Sequence, residues 1–150
     1  MVERLAHGGA LDTAARQFRI PLAQWLDLST GINPIPYTVG NLSASVWAQL
    51  PQSDLENNLL SNARAYYKVP VSANIIASPG TQALIQWLPY LLPKSRVVVL
   101  GPTYAEHAHC WRAAGHNVEI INLGQKPPDS AGVIIAVNPN NPDGYIHNRN

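Results

Sequence analysis

The sequence predicts an α/β fold, with a mostly parallel sheet flanked by helices in an α/β/α sandwich. One observation is that short apolar runs alternate with helical segments from residue 74 onward; the runs are NIIA, RVVVL, VEIIN and GVIIAV. This alternation is typical of a parallel sheet buried on both faces. A second observation is that turn-forming polar stretches follow three of these runs, namely SPGTQ, GPTYAEH and NPNNPDG. Because ligands bind such sheets at the carboxyl ends of their strands, these turns are candidate binding sites.

The first part of the chain, to about residue 50, is richer in loops. The stretch HGGALDTAARQF predicts a glycine turn followed by a short helix. The apolar residues at helical spacing in it are Leu11, Ala14, Ala15 and Phe18. The stretch WLDLSTGINPIP predicts a short strand that enters a turn-rich segment, because glycine and proline interrupt any regular pattern.

Three helices are predicted in the remainder. In SDLENNLLSNARAYY, Ser53 and Glu56 have the spacing of a capping box at a helix start. The apolar residues on one face of this helix are Leu55, Leu59, Ala63 and Tyr66. The stretches TQALIQWLPYLL and AEHAHCWRAAG predict the helices between the strands.

Composition narrows the possible partners and location. The 150 residues include 10 basic and 9 acidic side chains, so no strong field would hold nucleic acid or an anionic membrane. A single cysteine, Cys110, rules out an internal disulfide framework. The start, MVERLAHGG, lacks a secretory profile, and the stretch ALIQWLPYLLP is too short to span a membrane. We therefore expect a soluble cytoplasmic protein that binds neither nucleic acid nor membranes.

The turn SPGTQ is the first candidate site. Gly80, Thr81 and Gln82 open a helix, where several backbone N–H groups have no intrahelical partner and can receive a phosphate. A helix cap without a ligand explains the same residues. A dinucleotide fingerprint and a Walker loop do not fit, because the turn has neither glycine spacing.

The stretch GPTYAEH is the second candidate site. Tyr104 would lie at the mouth of the sheet, where its ring could stack on a flat aromatic ligand, although a tyrosine that only covers the core fits equally. His107 and His109 point to different sides of the predicted helix, whereas His107 and Cys110 share a face. Two ligands do not make a zinc site, so we expect no metal.

The stretch NPNNPDG is the third candidate site. Asn141, Pro142 and Gly144 fit the first, second and fourth positions of a type I turn. From such a turn the amide of Asn141 could donate to a ligand oxygen. A turn without a ligand often has the same composition.

The stretch VNPNNPDG resembles the N-P-N-x-P-x-G signature of the fold-type I enzymes that use pyridoxal 5′-phosphate, the class I/II aminotransferase superfamily. The resemblance implies that the turn with Gly80, Thr81 and Gln82 binds the cofactor phosphate. It also implies that Tyr104 stacks on the pyridine ring and that Asn141 donates to the phenolic oxygen. The three motifs occur in the family's order.

The stretches AHGGALDTAARQF, WLDLSTGINPIP and LPQSDLENNL resemble the start of the L-threonine-O-3-phosphate decarboxylases of cobalamin biosynthesis. The resemblance covers the whole chain and implies that His7, Gly8 and Asn33 face the substrate, O-phospho-L-threonine. The implied product is (R)-1-aminopropan-2-ol phosphate, and the implied assembly is a homodimer. It further implies a partial aminotransferase-like fold, with residues 1–50 as an N-terminal arm and part of the small domain. Residues 51–150 would begin the large, cofactor-binding domain.

The resemblance also implies groups that this chain lacks. In the family, the Schiff-base lysine, an acidic partner of the pyridine nitrogen and a carboxylate-binding arginine all follow the N-P-N-x-P turn. Lys68, Lys94 and Lys126 lack that lysine's sequence context, so we expect no catalytic residue here and no catalysis by this chain alone. A fragment or truncated reading frame is the expected explanation.

Two alternatives remain open at the level of sequence. One is a transaminase similar to the histidinol-phosphate aminotransferases, which usually carry an Asn-Glu-Asn-Pro-like segment where this chain has STGINP. The other is a truncated homologue without catalytic function that binds a ligand or a complementary chain.

Overall fold

The computed structural model describes residues 8–148. The helices are α1 (Leu11–Phe18), α2 (Ser45–Ala48), α3 (Ser53–Tyr66), α4 (Thr81–Trp87) and α5 (Glu106–Ala113), with short 3₁₀ turns at Leu22–Gln24 and Leu88–Leu91. The strands are β1 (Arg96–Gly101), β2 (Asn117–Asn122) and β3 (Val133–Ile135). No helix in this described part is long and apolar enough to cross a membrane.

The chain forms two compact units, each considered by itself. One consists of the described residues up to 33 together with those from 82 onward, and the other consists of residues 34–81. The predicted boundary at residue 50 concerns domains of a longer protein and stays a prediction.

The first unit contains a parallel sheet of three strands in the order β2-β1-β3. Val97 of β1 is in register with Val118 of β2 and with Val133 of β3. The α/β class predicted from the sequence is therefore confirmed.

The core of this unit surrounds β1. Val97, Val98 and Val99 are fully buried, and Trp111 and Ala108 of α5 belong to the same apolar cluster as Val97 and Val99. The expected burial on both faces is observed only for β1, since β2 and β3 form the edges of the described sheet and expose many side chains.

A buried histidine joins the segments that precede β1 and β2. His116 accepts a hydrogen bond at Nδ1 from the backbone N–H of Ser95 at 3.1 Å, and its Nε2 lies 2.8 Å from the carbonyl oxygen of Pro89. The tautomer with its proton on Nε2 satisfies both bonds. The ring of Trp111 packs edge-on at 4.6 Å between centroids.

The second unit contains α2 and α3, and an arginine closes the loop after α3. The guanidinium of Arg64 donates to the carbonyl oxygen of Pro70 at 2.7 Å and to that of Ala73 at 3.0 Å. These bonds satisfy two carbonyl groups of the irregular loop that follows α3.

Two predicted strands are wrong. Residues 74–77 are irregular, and Ile76 is 76% exposed, because no segment among residues 8–148 pairs with them. Residues 25–28 are irregular as well, since the carboxylate of Asp27 accepts bonds from the Ser29 N–H at 2.8 Å and the Ser29 hydroxyl at 2.6 Å. Such local bonds compete with strand pairing.

The predicted helices form, with differences at their ends. The capping box is wrong, because α3 already includes Ser53, so that Gln52 occupies the cap position without a side-chain bond. The helix that begins at Thr81 changes to a 3₁₀ turn at Leu88, where Pro89 has no N–H to continue the α-helical pattern.

Candidate functional site

The carboxyl end of β1 leads directly into the segment with Tyr104. Gly101 ends the strand, and a Cβ at this position would lie 2.8 Å from Cγ2 of Ile120, so only glycine permits this approach to β2. Tyr104 is half-buried just before α5 begins at Glu106. It lines an open cleft of about 740 Å³ together with Val99 and Ile120.

Two residues predicted to bind the cofactor meet here. The hydroxyl of Tyr104 donates to Oε1 of Gln82 at 3.4 Å, and Nε2 of Gln82 donates to Oε2 of Glu106 at 2.9 Å. The ring of His107 lies edge-on to that of Tyr104, with 6.0 Å between centroids. Burial lowers the pKa of His107, which favours its neutral form beside the ring.

The turn after β3 is anchored by Asn140. This side chain is 4% exposed, and its Nδ2 donates to the carbonyl oxygen of Pro102 at 3.0 Å and to Oδ1 of Asp143 at 2.7 Å. The backbone oxygen of Asn140 accepts from the N–H of Gly144 at 2.8 Å, so the turn closes from Asn140. This closing bond begins one residue before the predicted type I turn led by Asn141, which stays a prediction.

The carboxylate of Asp143 completes this turn. Hydrogen bonds from the backbone N–H of Tyr145 and from the side chain of Asn140 lower the pKa of Asp143. Sequence reasoning missed the anchoring role of Asn140, because nothing in NPNNPDG distinguishes two adjacent asparagines.

Two buried oxygens at this end of the sheet have unused hydrogen-bonding capacity. Within residues 8–148, Oγ1 of Thr103 and Oδ1 of Asn140 have no hydrogen-bond partner. Buried polar atoms without a partner are rare in folded proteins and often mark the place of a ligand or a water molecule.

Asn141, the next residue in this turn, is exposed and lies beside Gly31 of the segment STG, residues 29–31. A Cβ placed on Gly31 would lie 3.8 Å from Oδ1 of Asn141, which is ordinary van der Waals contact. The segment STG of the predicted substrate-binding arm and the asparagine predicted to bind the cofactor are therefore neighbours.

The glycine turn near the start attaches to the same segment. The N–H of Gly9 donates to the hydroxyl of Ser29 at 2.8 Å, and a Cβ on Gly8 would overlap the carbonyl group of Ser29. Hydrogen bonds from the side chain and the backbone N–H of Ser29 lower the pKa of Asp27. Gly8 therefore lies against Ser29. His7, which was also predicted to bind the substrate, lies outside the described residues.

The remaining predicted residues are Asn33, Gly80 and Thr81. Asn33 is exposed in the first unit. In the second unit, Gly80 has φ +83°, which favours glycine, and a Cβ there would meet no heavy atom within 4 Å. Thr81 begins α4, and the first backbone N–H groups of a helix have no carbonyl partner within it.

The lysines lie outside the strands and outside the three candidate turns. Lys68 follows α3, Lys94 precedes β1 with its Nζ beside Gly115, and Lys126 pairs with Asp129 at 3.6 Å. None lies in a strand or in one of the three candidate turns. Within residues 8–148, no three metal-binding side chains form a group that could hold an ion.

Comparison with known proteins gives two kinds of match. Residues 40–150 match the family described as aminotransferase class I and II. Over 144 residues the chain is 46% identical to a threonine-phosphate decarboxylase of Pseudomonas aeruginosa, covering 95% of this chain and 42% of the relative. Over 141 residues it is 38% identical to a threonine-phosphate decarboxylase of Sinorhizobium sp, covering 93% of this chain and 42% of the relative.

The chain thus spans about 42% of the length of the curated relatives that it matches. The matched residues 40–150 include all three strands and all three candidate turns, and the observed α/β architecture is that of a partial aminotransferase-like fold. The chain belongs to the aminotransferase class I and II family.

Proposed function

We propose that this chain is the N-terminal part of a threonine-phosphate decarboxylase that uses pyridoxal 5′-phosphate. The observation that carries the proposal is the 46% identity over 144 residues to a protein of that name. The substrate would be O-phospho-L-threonine, and the product would be (R)-1-aminopropan-2-ol phosphate for cobalamin biosynthesis.

The residues present fit a bound phosphopyridine. Gly80 leaves open space beside the start of α4, where Thr81 and Gln82 would present N–H groups to the phosphate. Tyr104 has its hydroxyl tied to Gln82, so its ring can serve as a flat stacking surface. Asn141 is exposed at the end of β3, where its amide would donate to the phenolic oxygen.

The substrate would lie against the N-terminal arm. Gly8 is held on Ser29, and Gly31 lies beside Asn141, so the arm borders the turn that we assign to the cofactor. His7, Gly8 and Asn33 would bind O-phospho-L-threonine, with glycine N–H groups and a histidine suited to its phosphate.

When bound, pyridoxal phosphate supplies an electron sink for the electron pair that the departing carboxylate leaves on the substrate's α-carbon. The residues of this chain bind and orient: the N–H groups at 81–82 hold the phosphate, Tyr104 fixes the plane of the ring, and Asn141 fixes its rotation. The Schiff-base lysine would come from outside the 150 residues, so we propose no catalysis by this chain alone.

We also propose that the complete protein is a cytoplasmic homodimer, as its resemblance to the decarboxylases implies. Mass measurement of the complete protein in solution checks this point; a monomer that retains activity would contradict it.

The function is tested with a chimera. The region of the Pseudomonas aeruginosa relative that aligns with this chain is replaced by residues 1–150, with the parent enzyme as control. We expect the chimera to release CO₂ from O-phospho-L-threonine, and we expect Asn141→Ala to weaken its retention of pyridoxal phosphate. A chimera that retains the cofactor but transaminates histidinol phosphate without releasing CO₂ would contradict the proposed reaction.

A further inference from the structure

Four side chains form a continuous line of polar contacts where α4 and α5 begin. Nε2 of Gln82 donates to Oε2 of Glu106 at 2.9 Å, and Oε1 of Gln82 accepts from the hydroxyl of Tyr104 at 3.4 Å. Sγ of Cys110 lies 3.7 Å from the same Oε2. All four residues belong to the first compact unit.

The carboxylate of Glu106 determines the orientation of the side-chain amide of Gln82. An ionised carboxylate only accepts hydrogen bonds, so the NH₂ end of the amide must face Glu106. The carbonyl end then faces Tyr104, whose hydroxyl must donate. Without a carboxylate at position 106, the amide could rotate by half a turn and present its NH₂ end to the tyrosine.

The surroundings strengthen this arrangement. Three of these residues are half-buried, namely Gln82, Tyr104 and Glu106, and Cys110 is buried. Because less water competes for these groups, each hydrogen bond is electrostatically stronger than it would be in water. Burial, followed by the nearby charge of Glu106, raises the pKa of Cys110. The thiol therefore keeps its proton at neutral pH and acts as a weak donor to the carboxylate.

We propose that Glu106 is a positioning residue, which orients the side-chain amide of Gln82 and thereby holds the hydroxyl and ring of Tyr104 in place. Its relevance for a stacked cofactor ring rests on the proposed function. The orientation itself is a property of the ligand-free chain and can be measured there.

The first measurement is NMR of the ligand-free chain, comparing Glu106→Ala with Glu106→Gln. We expect the alanine variant to shift the side-chain amide resonances of Gln82 and to weaken the contacts between Gln82 and the Tyr104 ring. The glutamine variant keeps an acceptor and should retain both signals. Glu119→Ala, which removes a glutamate paired with Arg96 on the surface, is the matched control. Unchanged signals in Glu106→Ala would overturn the proposal.

If Glu106→Ala fails to fold, the proposal can be tested by exchanging the amide and the carboxylate between positions 82 and 106. Gln82→Glu alone places two carboxylates where the 2.9 Å bond was, and it should disturb the Tyr104 ring signals. Adding Glu106→Gln restores a donor and an acceptor with reversed roles, and it should restore those signals. Identical spectra for the single and double variants would overturn the proposal.

The second measurement uses pyridoxine 5′-phosphate, which has the ring and phosphate but no aldehyde. Its dissociation constant should rise about two- to twelvefold in Glu106→Ala, as expected for one lost hydrogen bond, and should stay close to the original in Glu106→Gln. Equal affinity of the original and alanine chains would overturn the positioning role. If the original chain does not bind the probe although the NMR changes occur, the assignment of Gln82 and Tyr104 to cofactor binding fails and the positioning role stands.

Discussion

Two adjacent asparagines in the turn after β3 have different environments. Asn140 is buried and bonded to the carbonyl oxygen of Pro102 and to Asp143, whereas Asn141 is exposed beside Gly31. One side chain therefore holds the turn, and its neighbour is left available for a ligand. The sequence alone identified Asn141 as a candidate but could not identify Asn140 as the anchor.

We predict opposite effects for alanine substitutions at these positions. Asn140→Ala should lower the free energy of unfolding by about 1–3 kcal/mol, because it leaves the Pro102 carbonyl without its partner. Asn141→Ala should change this free energy by less than about 0.5 kcal/mol, since the residue is exposed. Urea denaturation of both variants checks this, and similar losses in the two would contradict it.

A second residue-scale prediction concerns the pH dependence of the arm. The bonds from Ser29 lower the pKa of Asp27 below its ordinary value of 3.8, so these bonds are complete above that pH and are lost as the pH falls through the lowered pKa. The amide proton of Ser29 should therefore titrate with a midpoint below 3.8. Asp27→Asn should abolish the titration; a midpoint above 3.8 would show that the bonds do not form.

At the scale of elements, prediction from the sequence succeeded where a segment finds a partner within the chain. The strand of Val97–Val99 pairs on both sides, and β2 and β3 are held by it. The segment 74–77, NIIA, also contains β-branched apolar residues but pairs with no described segment, and it is irregular. Composition indicates the tendency to form a strand, while pairing decides whether one forms.

The start of α3 offers a test of an element boundary. Because α3 begins at Ser53 with Gln52 as its cap and without a side-chain cap bond, Ser53→Ala should change the free energy of unfolding by less than about 0.5 kcal/mol. A true capping box would lose about 0.5–2 kcal/mol on the same substitution. Thermal or urea denaturation distinguishes the two outcomes, with Glu56→Ala as the companion variant.

At the scale of the whole molecule, the sequence predicted the α/β class and the family, and it predicted that candidate turns follow β1 and β3, whereas the strand expected before SPGTQ does not form. It could not predict that Tyr104 and Gln82 are bonded to each other, nor that Gly31 lies beside Asn141, because these are contacts between segments distant in the chain. Such contacts depend on how the sheet brings its strand ends together. These contacts bring Tyr104 next to Gln82, and Gly31 next to Asn141.

The central claim is that these residues bind pyridoxal phosphate, and an NMR titration of the chain with this compound tests it most directly. Without a lysine linkage we expect weak binding, because one helix start contributes only about 0.3–2 kcal/mol, so the titration should extend to millimolar concentrations. We expect the signals of Thr81, Gln82, Tyr104 and Asn141 to shift together, and we expect Asn141→Ala to reduce the shifts. Saturating shifts confined to other residues, or none at these four, would contradict it.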